Sequence, residues 1–250
     1  MDQFSRTELL LGHEAMDKLK KSRVIVFGIG GVGGYVVEAL ARTGIGTLDI
    51  VDDDLVCMTN INRQIIATIG TVGRAKVDVC EERIKSISPA TVVNKHRVFY
   101  LPETADKFDF AEYDYVVDAI DTVSAKLDII ERCYNLNVPI ISAMGCGNRL
   151  DPTKLYVTDI NKTEMDPLAK VIRKELRQRG VKKLKVVCSS EKPLKPIETT
   201  EISCNENCIC PAGAERKCTD RRSIPGSTSF VPSAAGLIMA SEVIRDLIQS

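Results

Sequence analysis

The sequence carries no excess charge of either sign. Its 34 Lys and Arg residues balance 34 Asp and Glu residues over 250 positions. That excludes a protein held to nucleic acid by its overall charge, while leaving room for a local basic patch. Histidine is nearly absent. Only His13 and His96 occur, so a His-rich metal cage or a mechanism built on several imidazole bases has little to draw on. No apolar run approaches the roughly 18–20 residues that span a bilayer. The N-terminus, with Asp2, Arg6 and Glu8, lacks the apolar core of a signal peptide, and the chain is expected in the cytoplasm. Nine cysteines, an odd number, disfavour a disulfide scaffold and favour buried, metal-binding or catalytic thiols. There is no C-x-x-C pair and no G-x-x-x-x-G-K-[S/T] phosphate loop. What remains is an ordinary globular balance, 44% hydrophobic and 27% charged, long enough to bury a sizeable core.

The order of elements points to an α/β fold. The first 20 residues read as one short amphipathic helix. The run Val24-Ile25-Val26-Phe27 then stops abruptly at glycines, as a buried parallel strand does. A helix is expected over 32–43, a strand over 47–51 and a helix over 74–88, ending before Pro89. Strands at 115–117 and 139–141 flank a helix at 124–135. This alternation predicts a doubly wound, mostly parallel, Rossmann-like sheet with helices on both faces. Beyond it, 154–160 reads as a strand. Asp166-Pro167 opens a helix with Asp as N-cap and Pro in the first turn, and 184–188 reads as another strand. Residues 189–232 are irregular and rich in Cys, Pro, Gly and Ser. A closing helix follows at 233–248.

Gly28-Ile29-Gly30-Gly31-Val32-Gly33 is a G-x-G-x-x-G loop between a strand and a helix. Glycine permits the tight turn and lets backbone N–H groups meet a phosphate at the helix N-terminus. Asp52, Asp53 and Asp54 follow the second strand, where a carboxylate accepts ribose hydroxyls. To this point a nicotinamide dinucleotide fits equally well. Arg63 and Lys76 favour ATP instead, because a triphosphate needs more cationic neutralisation than a dinucleotide diphosphate. Asp118 and Asp121, at the end of an apolar strand, either cap the next helix or hold Mg²⁺ together with phosphate oxygens.

These pieces together resemble the ATP-dependent adenylylating enzymes of the ThiF, MoeB and HesA type, relatives of ubiquitin-activating enzymes. The matching motifs are Arg6 ahead of Leu11-Gly12, the glycine loop, Asp52–Val56, Asn60-Ile61-Asn62-Arg63-Gln64, Gly73 with Lys76, Asp118 with Asp121, and the stretch 230–236. The resemblance implies one adenylylating domain over 1–250. Its parts are an N-terminal helix (1–20), a nucleotide-binding core (21–150), a basic, Cys-rich substrate-side segment (151–232) and a C-terminal helix (233–250). It implies ATP cradled by Gly28, Gly30, Gly31 and Gly33, ribose held by Asp52, and phosphates held by Asn60, Arg63 and Lys76. Asp54, Gln64 and Asp118 would line the nucleotide and Asp121 would bind Mg²⁺. Arg6 would reach into the site of a second copy, so a homodimer is implied. The reaction is activation of a carboxylate as an acyl-adenylate, which needs positioning and charge neutralisation rather than a tuned base.

Within that family, the stretches 39–46, 60–64, 117–121, 166–169 and 190–193 are most similar to the branch that dehydrates threonylcarbamoyladenosine in tRNA. Charge supports an RNA substrate independently. Lys170, Arg173, Lys174, Arg177, Lys182 and Lys183 belong to a basic stretch over 169–195 that suits a phosphate backbone, although basic residues also favour any solvated helix face. The competing reading is activation of the C-terminal carboxylate of a ubiquitin-like sulfur carrier, with a cysteine-desulfurase-type partner held open. Members serving such carriers usually hold zinc on two C-x-x-C pairs. Here Cys204, Cys208, Cys210 and Cys218 are irregularly spaced, which leaves zinc, redox-labile thiols and a catalytic cysteine as alternatives.

Overall fold

The computed structural model describes residues 1–197, 211 and 225–249. The four cysteines Cys204–Cys218 therefore lie outside the described residues. Seven strands form one sheet in the order β3-β2-β1-β4-β5-β7-β6. They are β1 (Arg23–Phe27), β2 (Thr47–Val51), β3 (Val92–His96), β4 (Tyr115–Asp118), β5 (Ile140–Ala143), β6 (Leu155–Asp159) and β7 (Lys185–Ser189). All pairings are parallel except β6 against β7. The doubly wound, mostly parallel sheet read from the sequence is present.

Among the described residues seven α-helices accompany it: α1 (Ser5–Leu11), α2 (His13–Lys21), α3 (Gly33–Thr43), α4 (Lys76–Ile87), α5 (Val123–Leu136), α6 (Pro167–Gln178) and α7 (Phe230–Gln249). The central strands are apolar on both faces because both faces are covered. Val24, Val26, Leu48, Ile50 and Val117 pack with residues of α3, α4 and α7. Ile25, Phe27 and Val116 face the other way, toward α5 and an aromatic cluster. There Phe27 meets Tyr100 and Phe108 at ring-centroid distances of 4.9 and 5.4 Å. α5 and α6 share a third apolar cluster with β7. On the opposite face α7 crosses α3 so closely that a Cβ on Gly236 would lie 2.4 Å from the Val32 carbonyl oxygen. Among the described residues no helix is long and apolar enough to cross a membrane.

Three local expectations need correction. The N-terminal helix is two helices, because Gly12 at φ +86° breaks the ladder between α1 and α2. Leu9 and Leu10, which an amphipathic helix over 1–20 would bury, are 88% and 83% exposed. Strand β3 was not read, since Asn94, Lys95 and His96 carry no apolar alternation. It forms because β2 offers it a parallel register, Thr47 opposite Val92 through Val51 opposite His96. Helix α7 begins at Phe230 rather than 233. Pro232 is tolerated there because first-turn N–H groups need no intrahelical partner. The N-cap prediction at Asp166 is correct: its side chain accepts from the Ala169 N–H.

Candidate active site at the carboxyl edge of the sheet

Strand order reverses between β1 and β4, which opens a crevice beyond their carboxyl ends. The glycine loop leaves β1 and the turn 119–122 leaves β4 into this crevice. Two glycines are required there. A Cβ on Gly33 would sit 1.8 Å from the Gly28 carbonyl oxygen, and one on Gly28, at φ +87°, would sit 2.9 Å from the Ala119 carbonyl oxygen. The loop is therefore folded tightly against the β4 turn. Gly30 lies near Gln64, and Gly31 lies between Pro232 and Arg63. The N-termini of α3, α4 and α5 all begin at this edge, and helix N-termini favour anions.

Asp52 ends β2 and anchors the loop. Its Oδ2 accepts the Ile29 N–H at 2.7 Å and its Oδ1 accepts the Asp54 N–H at 3.0 Å. Lys76, the first residue of α4, points between the acids: its Nζ lies 2.8 Å from Asp54 Oδ2 and 3.3 Å from Asp52 Oδ1. The Lys76 side chain is 5% exposed. Burial alone would depress its ammonium, but the Asp52 and Asp54 carboxylates outweigh that and raise its pKa above the ordinary lysine value. Burial raises the Asp52 carboxyl, with the nearby Asp54 charge adding to the effect and Lys76 opposing it. The carboxylates of Asp52, Asp53 and Asp54 come within 4.8 Å of one another, and Lys76 supplies the cation at that cluster.

The remaining predicted residues divide. Arg63 is half-buried beside Gly31 and donates to the Thr59 carbonyl and to Asn62 Oδ1, each at 2.9 Å. Asn60 spends its Oδ1 on the Cys57 N–H at 3.0 Å. Gln64 is 7% exposed. Asp121 is exposed on the turn after β4. One exposed carboxylate beside a phosphate cradle is the donor set that suits Mg²⁺. Asp118 departs from expectation. It is fully buried, with Lys126 Nζ donating to its Oδ2 at 2.8 Å and Ser142 Oγ at 2.5 Å. It is enclosed behind the turn that follows β4, with both of these partners on the same carboxylate oxygen.

Arg6 lies on α1, next to Phe4, which approaches Gly44 at the far end of α3. Eleven helical residues of α3 put that contact about 16 Å from the glycine loop. The basic residues also divide. Lys170, Lys174 and Arg177 are exposed along one stripe of α6, whose N-terminus lies at the crevice edge through Gly145 N–H to Asp166 Oδ2, 3.0 Å. Arg173 is half-buried and structural, donating to the Thr163 carbonyl at 2.9 Å. Lys182 and Lys183 precede β7 and so sit at the opposite, amino edge of the sheet.

Several residues at this edge escaped the sequence reading. Arg149, 2% exposed, donates to the carbonyls of Ser189 and Glu191 and to Asp166 Oδ2. The Glu191 carboxylate in turn accepts the Leu150 and Asp151 N–H groups at 3.0–3.1 Å. Asn148, at φ +58°, exchanges two hydrogen bonds of 2.7 Å with Gly226. Asn62 Nδ2 donates to the Ser227 carbonyl at 2.9 Å. A strap over 225–229 thus joins the loop after β5 to the residue beside Arg63. Among the described residues, the buried side-chain atoms without a hydrogen-bond partner are Gln64 Oε1, Arg149 Nε and Thr228 Oγ1. All three border this edge, and a polar molecule bound there would satisfy them.

Fold and site together are those of the nucleotide-binding α/β class, with a glycine loop that is not a P-loop. The ThiF family profile matches residues 4–250, and the chain belongs to the ThiF family. It is 42% identical over 250 residues, 100% of this chain and 96% of the relative, to the tRNA threonylcarbamoyladenosine dehydratase of Bacillus subtilis. The crystal structure of the Escherichia coli tRNA N6-threonylcarbamoyladenosine dehydratase in complex with ATP superposes with a TM-score of 0.85 at 33% identity, covering 99% of this chain and 94% of that one. The adenylyltransferase and sulfurtransferase UBA4 of Candida glabrata is 35% identical, but over 57% of this chain and 33% of its own length.

Proposed function

We propose that the chain is an ATP-dependent dehydratase of tRNA threonylcarbamoyladenosine. The observation that carries this reading is the likeness to a dehydratase over the full 250 residues. The adenylyltransferase and sulfurtransferase relative matches only 57% of the chain, against 100% for the dehydratase. The threonyl carboxylate oxygen attacks the α-phosphorus of ATP, the bond to the β-phosphate breaks, and pyrophosphate leaves. The neighbouring carbamoyl group then closes on the acyl carbon and expels AMP, so the nucleoside loses one water.

The glycine loop and the N-terminus of α3 cradle the phosphates. Arg63 and the Asn60 amide donate to phosphate oxygens, and Lys76 balances charge beneath them. Asp52 orients the loop through Ile29 and faces the ribose. Asp121 would hold Mg²⁺, which would supply charge neutralisation at the phosphates. Arg6, exposed on α1, acts across a homodimer in this reading. The exposed stripe Lys170–Lys174–Arg177 runs from the crevice edge and suits tRNA phosphates. The enzyme works in the cytoplasm, with its RNA substrate. The test is a product assay. Protein, ATP, Mg²⁺ and tRNA bearing threonylcarbamoyladenosine are incubated, and the nucleosides are weighed after mild digestion. ATP-dependent loss of one water is the expected result. An unchanged nucleoside, under conditions where a known dehydratase works, refutes the proposal in favour of carrier activation.

A further inference from the structure

Asp118, Lys126 and Ser142 are each fully buried, and none of them reaches the crevice. Asp118 ends β4, Ser142 is its register partner on β5, and Lys126 lies one turn into α5. Their bonds close a ring: Lys126 Nζ to Asp118 Oδ2 at 2.8 Å, Lys126 Nζ to Ser142 Oγ at 3.2 Å, and Ser142 Oγ donating to Asp118 Oδ2 at 2.5 Å. Between Asp118 and Lys126 runs the turn that carries Asp121. Its entrance is tied by Ala119 N–H to the Phe27 carbonyl at 2.9 Å, and its exit by Lys126 N–H to the Thr122 carbonyl at 3.0 Å. The Asp118 Oδ1 also lies 3.3 Å from the Ile120 N–H, inside the turn. The opposite wall is Gly28, where no Cβ fits beside Ala119.

Stability alone does not explain this cluster. Desolvating two charges is costly, and well-packed apolar residues commonly serve as well or better. What an ion pair adds is directional: a strand end and a helix start held at one separation, with the turn between them unable to shift. We propose that Asp118, Lys126 and Ser142 form a buried lock that positions the Asp121 turn against the glycine loop. Lys126 and Ser142 are then positioning residues for the metal-bound nucleotide. This inference rests on the proposed role of Asp121 as the Mg²⁺ ligand.

The variant D118N/K126M removes both charges while the Ser142 hydroxyl keeps an acceptor, and thermal unfolding checks that the fold is retained. Calorimetric titration with ATP, with and without Mg²⁺, reads the lock directly. The Kd for ATP with Mg²⁺ is expected to rise about tenfold, as when groups behind a metal ligand are removed. The Kd for ATP without metal is expected to stay at the wild-type value. A purely structural cluster moves neither constant, or both equally, and either result overturns the proposal. Ser142→Ala keeps the ion pair and is expected to shift the Mg²⁺-dependent Kd in the same direction by a smaller factor. If the double variant does not fold, this variant decides, and an unchanged Kd overturns the lock. Asp121→Asn is measured in parallel. If it leaves Mg²⁺-dependent binding intact, the metal role of Asp121 falls. If it abolishes the Mg²⁺ effect while the lock variants do not, only the lock falls.

Discussion

Replacing Lys76 by Met removes a buried cation from between two carboxylates. The pair distances are 2.8 Å to Asp54 and 3.3 Å to Asp52. At an effective dielectric near 20, each attraction is on the order of 5–6 kcal/mol gross. The net loss on breaking such a buried pair is smaller, roughly 3–5 kcal/mol. We take about 3, because Asp54 is partly hydrated and Asp52 can accept a proton. For a domain of this size that lowers Tm by about 6–12 °C at pH 7.5. The fold thus does not pass through the change untouched, as the residue's surface-like sequence context would suggest. The pH dependence carries the sign. Without Lys76, the buried Asp52 carboxyl has a folded-state pKa above its unfolded value. Its protonation favours the folded state, so the deficit shrinks as pH falls toward 5. Thermal unfolding of wild type and variant at pH 7.5 and pH 5 tests this, with Lys76→Met/Asp54→Asn expected to recover part of the loss. ATP affinity should also fall about 10- to 100-fold, the worth of one charge-assisted hydrogen bond. A variant with wild-type Tm at pH 7.5, or a deficit that grows at pH 5, refutes the reasoning.

Three further outcomes can be measured. Gly33→Ala places a Cβ 1.8 Å from the Gly28 carbonyl oxygen, which the backbone cannot yield without opening the loop; ATP binding by calorimetry should be lost, and normal affinity would show that the loop is not the cradle. Asp49 is fully buried; burial raises its carboxyl, but hydrogen bonds from His96, Arg23 and Asn94 outweigh that and hold it at about 2. Its folded pKa lies below the unfolded value, so it contributes about 2 kcal/mol above pH ~4, lost as pH falls through the folded value. Urea unfolding should therefore show the gap between wild type and Asp49→Asn closing by that amount from pH 7 to pH 2; a constant gap would be contrary to this account. Neutralising Lys170 and Lys174 with Gln should reduce the salt slope of tRNA binding by about 1 for each phosphate the helix ceases to neutralise, whereas Lys182→Gln/Lys183→Gln, at the far edge, should change it less. Equal slopes for all variants would take the α6 stripe out of the interface.

Much of the scaffold was legible because its signals are local. Val24–Phe27 stops at Gly28, and only a strand-turn-helix accommodates that change. Asp166 and Pro167 open α6 by chemistry confined to one helical turn. Glycine's freedom at Gly28 and its lack of bulk at Gly33 belong to single residues, so the loop could be located without coordinates. Strand β3 and the break at Gly12 were less legible. In β3 the neighbour β2 overrides weak propensity, and at Gly12 one positive-φ residue overrides a continuous apolar pattern.

Burial, pairing and direction belong to the tertiary structure. Nothing near Lys126 in the chain announces that its ammonium meets Asp118 and Ser142; in Ala125-Lys126-Leu127-Asp128-Ile129-Ile130 it looks no more buried than Asp128, which stays partly exposed. Asp118 and Asp121, three residues apart, look interchangeable in sequence; the register of β4 and β5 buries one and exposes the other. The basic stretch appears continuous until α6 and β7 turn its two ends to opposite edges of the sheet. Conformational preference resides in each residue and its neighbours, so the sequence alone determined the strands other than β3, the glycine loop and the cap at Asp166. A charge acquires its partner and its solvation only when segments tens of residues apart are brought together, so the fold alone decided which acids and cations make the site.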